Sequence, residues 1–166
     1  DGSFKGKEYD ACFNRLKEKC QSAELLHHPV IDKDKPFHVY CDASKEGIGG
    51  VLMQKDDEGK MQPIAYCNKT FNDTQRNWHV SEQEIYSVVW CVERWYRLLM
   101  NGRFIVHTDH KNLQQLFNQA KDFKSGKLFR WAVRLQEFDF VCQFIPGIDN
   151  KFADYLSRDG LFIEPK

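Results

Sequence analysis

The chain has 166 residues, 24 Lys+Arg balanced by 24 Asp+Glu, and 42% hydrophobic and 14% aromatic content. That length and apolar share build one domain with its own core and exclude a disordered chain. No stretch has the apolar length of a membrane span or the pattern of a signal peptide, and the balanced charge votes neither for nor against a nucleic-acid partner.

Taken in chain order, "YDACFNRLKEKCQSAELL" carries Ala11, Phe13, Leu16, Cys20 and Ala23 at helical spacing, and His27-His28-Pro29 ends it. Phe37, Val39 and Cys41 alternate with His38 and Tyr40, the period of a strand that closes at Asp42. "GIGGVLMQK" reads as a second strand, joined through the turn "DDEGK" to a third, "MQPIAYCNK", to make an antiparallel meander. A long helix is predicted across "VSEQEIYSVVWCVERWYRLLMNG", with Ser81 as N-cap and Gly102 as the stop. "RFIVHTD" is a fourth strand and "NLQQLFNQ" a short helix. "SGKLFRWAVRLQEF" is a further helix started by Ser125, and "DFVCQFIP" a fifth strand. "DNKFADYLSR" closes the chain as a helix capped by Asp149 or Asn150. The order predicts an α/β fold, a mixed sheet flanked by helices. The cysteines (Cys12, Cys20, Cys41, Cys67, Cys91, Cys142) show no metal-binding spacing and sit largely in apolar segments, as expected of reduced thiols in an intracellular setting. The abrupt start at Asp1-Gly2-Ser3 is expected of a fragment of something longer.

Chemistry in such sheets gathers at the carboxyl ends of strands. Asp42 ends the first strand and Asp109 the fourth, though an aspartate after a strand is commonly a turn former. Glu84 lies on or beside the core face marked by Ile85, Val88, Val92, Trp95 and Leu99, whereas Glu82 falls on a more solvent-facing side. Asp154 sits in the first turn of the last helix, where the helix dipole alone would explain it. Together these four oxygen donors suit hard divalent cations such as magnesium or manganese, and paired cations would neutralise a buried Asp42. His107 and His110 flank Asp109, but hydrolysis supported by two metals needs no protein base.

The stretches "VYCDASKEGIGGVLMQ", "SEQEIYSVVWCVERWYRLLMNGRFIVHTDHKNL", "RWAVRLQEFDFVCQFIPG" and "NKFADYLSR" resemble the ribonuclease H domain of reverse transcriptases, those of gypsy-type long-terminal-repeat retrotransposons above all. The resemblance runs from about Cys12 to Arg158. It implies a ribonuclease-H-like fold with a five-stranded mixed sheet, an N-terminal connection helix and linker over 1–35, the nuclease domain over 36–160 and a tail over 161–166. It implies hydrolysis of the RNA strand of an RNA–DNA hybrid with two Mg2+, for which Mn2+ substitutes, and Asp42, Glu84, Asp109 and Asp154 as the catalytic metal ligands. Glu84 is preferred to Glu82 for the helix position. The backbone at Gly47 and Gly49 is a candidate for contact with a sugar–phosphate, and Asn112, Gln114 and Lys127 for the DNA strand; a solvated helix face is the alternative for these last three. Expected partners are the hybrid and the polymerase domain of the same polyprotein, with a dimer of the full enzyme open and no membrane. The expected location is a cytoplasmic virus-like particle or the nucleus. The loop "IPGIDN" lacks the histidine that many family members carry before the last helix, which implies slower or differently tuned turnover. Competing readings are a non-catalytic scaffold, a host-domesticated binding module and a related integrase.

Overall fold

A computed structural model describes residues 26–109, 126–146 and 150–158. The predicted helix before His27, the helix over 112–119 and the caps Ser125 and Asp149 lie outside them.

An antiparallel meander comes first along the chain, made by β1 (Phe37–Ala43), β2 (Gly47–Lys55) and β3 (Met61–Thr70). The β2–β3 turn closes on bonds between Asp56 and Lys60 and on Gly59, whose φ of 81° is a conformation glycine adopts without penalty. β4 (Phe104–Thr108) then joins the other side of β1 in parallel, and β5 (Phe140–Phe144) joins β4 in parallel. The sheet order is β3-β2-β1-β4-β5, the mixed five-stranded sheet the sequence predicts.

Central position explains the composition of β1. Alternation along a strand predicts one buried face, yet His38 is buried along with Val39 and Cys41. Both faces are covered, because helices pack on each side. Glycine contacts show which helix lies where. A side chain on Gly50 would meet Cys91 of α2 (Val80–Arg94), and one on Gly49 would meet Ala153 and Ser157 of α5 (Lys151–Arg158). Neighbouring strand residues point to opposite faces, so α2 and α5 lie on opposite sides of the sheet. The core on the α2 side joins Val39, Leu52, Val88, Val92, Phe104 and Val106, all fully buried. Each such side chain contributes roughly 1.5–3 kcal/mol of burial. Trp95 and Trp131 are buried there too, with Trp78 and Trp90 packed against the cluster.

Three local details depart from the sequence reading. The long helix is capped earlier than expected: His79, not Ser81, is the N-cap, its Nδ1 accepting from Ser81 N at 3.2 Å while its own N–H donates to Glu82 Oε2. The helix also breaks at Trp95, where ψ is 22°, and resumes only as the single turn Tyr96–Leu99 (α3). A one-turn helix, Asp73–Arg76 (α1), precedes it, closed by reciprocal bonds between Asn72 and Gln75. α4 (Gly126–Leu135) buries Trp131, Ala132 and Leu135. Cys41, Cys67 and Cys91 are buried free thiols and Cys142 is half-buried. Among the described residues no helix is long and apolar enough to cross a membrane.

The stretch before β1 is tied to the sheet. Buried Gln54 takes the N–H of Val30 on its Oε1 (2.9 Å) and donates Nε2 to the carbonyls of Val30 and Lys35 (2.8 Å each). Gln54→Ala strands these backbone groups, so it is expected to lower stability by about 1–3 kcal/mol, read as a shift of the urea midpoint at unchanged slope.

Candidate metal centre

Strand register brings the first two carboxylates together. Tyr40 of β1 and His107 of β4 are register partners in a parallel pair. Asp42 and Asp109 each lie two residues further on, at the carboxyl end of the sheet and on the same face as those partners. Glu84, on the first turns of α2, adds the third. One carboxylate oxygen from each of Asp42, Glu84 and Asp109 lies within 4.8 Å of the other two.

Burial makes this arrangement costly without a cation. Asp42 and Glu84 are 7% and 8% exposed, while Asp109 is more open to solvent. Loss of water pushes the Asp42 carboxyl up to about 6; the Ser157 hydroxyl opposes the rise, and the charges of Asp109 and Asp154 add to it. Glu84 rises further, to about 8, from burial first and then from Asp42 and Asp109, with the Ala43 amide pulling the other way. Among the described residues, buried Glu84 Oε2 has no hydrogen-bond partner. Glu82 is differently placed: it caps α2 and pairs with Lys127 at 2.8 Å.

Asp154 stands beside the trio rather than in it. Its charge is felt at Asp42, but its Oδ1 accepts from Arg158 Nε at 2.6 Å, one helical turn on. α5 itself is fastened to the strand ends. Asn150 Nδ2 donates to the Cys41 carbonyl at 3.0 Å, and Ser44 Oγ to the Ser157 carbonyl at 2.5 Å. Ser157 Oγ lies 2.8 Å from Asp42 Oδ2. Neither Asn150 nor Ser157 stands out in the sequence as a site residue. The Ser157–Asp42 contact spans 115 positions, and no local pattern signals it.

The remaining candidates fare unevenly. Gly47 and Gly49 are candidates from the sequence for backbone contact with a sugar–phosphate; on their Cβ side the close neighbours are protein. A Cβ on Gly47 would sit 2.2 Å from the Lys69 carbonyl oxygen of β3, and one on Gly49 would sit 2.2 Å from that of Ala153 on α5. Both glycines are buried, so their missing side chains serve strand and helix packing. Lys127, expected on the DNA strand, is engaged by Glu82 and lies over the Trp78 ring at 4.2 Å. Asn112, Gln114 and His110 lie outside the described residues. His107 is buried between Tyr40, stacked at 4.2 Å, and His38, whose Nδ1 is 2.9 Å from His107 Nε2. Burial, and then His38, push His107 down to about 4, which leaves it neutral at physiological pH.

The donor set answers whether a cation fits. All three groups offer oxygen, the preference of hard divalent ions. The unpartnered Glu84 oxygen and the mutual repulsion of the carboxylates are what a bound cation would satisfy. The trio is therefore a group that could hold a metal ion.

Comparison with known proteins bears on the family and the fold. Residues 32–138 match the family described as the RNase H-like domain found in reverse transcriptase. The retrovirus-related Pol polyprotein from transposon opus of Drosophila melanogaster is 37% identical over 147 residues, covering 88% of this chain. The chain spans only 14% of that relative's length. Among solved structures, RNase H1 from Halobacterium salinarum superposes with a TM-score of 0.55 at 16% identity, over 76% of this chain and 96% of that one. A foamy viral protease-reverse transcriptase, solved in complex with RNA/DNA hybrid, superposes at 0.58 and 17% identity, over 83% of this chain and 19% of that one. At those identities the superpositions establish the fold, and the family match supplies the kinship: the chain belongs to the RNase H-like domains found in reverse transcriptases.

Proposed function

We propose that this domain is an endonuclease that hydrolyses the RNA strand of RNA–DNA hybrids during reverse transcription, using two Mg2+ held by Asp42, Glu84, Asp109 and Asp154. The observation that carries the reading is the buried carboxylate trio with an unsatisfied Glu84 oxygen at the carboxyl end of the central strands. Its cost is hard to explain by structure alone.

Asp42, Glu84 and Asp109 would hold one cation, and Asp42 with Asp154 a second. Bound there, the cations would supply an acidified water for attack at phosphorus and charge stabilisation for the departing 3′-oxygen. The chain's own part is positional. Rigid strands fix Asp42 and Asp109, α2 fixes Glu84, and α5 presents Asp154 with Arg158 as counter-ion. To bind a cation the site must shed the proton that Glu84 holds near neutrality, so cation affinity rises with pH up to about 8. Choice of RNA over DNA then belongs to contacts with 2′-hydroxyls across a shallow minor groove. The partners proposed are the hybrid and the polymerase domain of a longer polyprotein, in a cytoplasmic particle or the nucleus.

The test is cleavage of end-labelled RNA presented as hybrid, as single strand and as RNA duplex, in Mg2+ and in EDTA. Cutting confined to the hybrid and abolished by EDTA is expected. Equal cutting of single-stranded RNA, or no cutting of a hybrid that the protein binds, would overturn the reading.

A further inference from the structure

We propose that Ser157 is a positioning residue of the metal centre, its hydroxyl setting the orientation of the Asp42 carboxylate. This inference rests on the metal-dependent reading above. The hydroxyl has one proton and two acceptors within reach, Asp42 Oδ2 and the Asp154 carbonyl, each at 2.8 Å. A carboxylate is the stronger acceptor, because bonds to an ionised group exceed those to a neutral carbonyl. The proton therefore goes to Asp42. Fixing Oδ2 fixes the plane of the carboxylate and with it the place of the other oxygen.

Ser157 can impose that orientation because it is itself held on every side. It is 4% exposed. Its carbonyl takes the Ser44 hydroxyl, from the loop that follows β1. Its backbone N–H lies against Gly49, the register partner of Asp42 on β2, where a Cβ would come within 2.5 Å of that nitrogen. Asn150 anchors the opposite end of the same helix to Cys41, the residue before Asp42. The helix that presents Asp154 thus also sets the carboxylate of the strand. One rigid body positions both groups, and small errors of placement at such a site are costly to rate.

The test is Mn2+ binding to the whole domain, followed by the electron paramagnetic resonance of the free ion, beside hybrid cleavage. Ser157→Ala and Ser157→Thr are compared with the unmodified protein. The Ala variant is expected to bind Mn2+ about 10–100-fold more weakly, the range for losing an outer partner of a metal ligand. Its kcat should fall while its KM for hybrid holds, and Thr, which keeps the hydroxyl, should recover most of both. Wild-type Mn2+ affinity in the Ala variant would overturn the assignment while leaving the nuclease reading intact. Equal losses in Ala and Thr, or an Ala variant that fails to fold, would overturn it too, by placing the residue's weight in packing. Absence of Mn2+ binding by the unmodified protein would remove the metal centre, and this inference with it.

Discussion

Asp42→Asn is expected to cut Mg2+-dependent hybrid cleavage by on the order of 10^3-fold without loss of stability. Cation neutralisation of developing charge is worth several kcal/mol, and each 1.36 kcal/mol is a factor of ten in rate. Asp42 is the residue through which both proposed cation positions are joined, so no other carboxylate in the trio replaces its charge. Stability moves the other way for a physical reason. Asparagine is nearly isosteric and still offers an oxygen to Ser157 Oγ. It also removes a buried charge that repels Glu84. Urea unfolding and cleavage assays on one preparation check both halves. Undiminished cleavage would take Asp42 out of the chemistry, and a large loss of stability would recast it as a structural residue.

Glu84→Gln has the second large effect, on the pH dependence of the cation-free protein. The folded-state value of about 8 lies above the ordinary 4.5. The folded chain therefore keeps a proton that the unfolded chain has lost. The stability attached to that proton is full below about 4.5, declines as pH rises, and is gone above about 8. The limiting slope for one such group is about 1.4 kcal/mol per pH unit. Asp42, raised to about 6, adds a smaller decline of the same sign at lower pH. The amide of the Glu84→Gln variant cannot ionise, so that protein should keep its stability at pH 8 and exceed the unmodified one there by on the order of 4 kcal/mol, the slope taken over that interval. It should nevertheless lose cleavage. Saturating Mg2+ should raise the stability of the unmodified protein at pH 8 and leave the variant nearly unmoved. Parallel pH–stability curves for the two proteins would contradict the burial of a charged Glu84.

What could be seen in the sequence was what local pattern encodes. The apolar runs of β1 and β4, the meander between Phe37 and Thr70 and the inward side of Glu84 all follow from periodicity, and the structure has each of them. The sequence also keeps Glu84 apart from Glu82, and the structure separates them: one meets Asp42, the other caps a helix and binds Lys127. The misses share a cause. Ser157 on Asp42, Asn150 on Cys41 and the pairing of His38 with His107 are contacts between distant positions, and periodicity names a face without naming what lies against it. The packing partner of Gly49 is hidden on the same ground. A glycine at a strand end signals close approach, but only the packed structure shows the approaching body to be α5. The break at Trp95 is hidden because Trp95 and Leu99 keep the helical spacing of the core face across it.

If the buried carboxylates are tolerated because they hold divalent cations, a cation should be found at the trio. Crystals grown with Mn2+ test this through anomalous diffraction from the ion. An anomalous peak is expected within coordination distance of Asp42, Glu84 and Asp109, lost in Asp42→Asn crystals. No peak at the trio, at a Mn2+ concentration that supports hybrid cleavage, would contradict it.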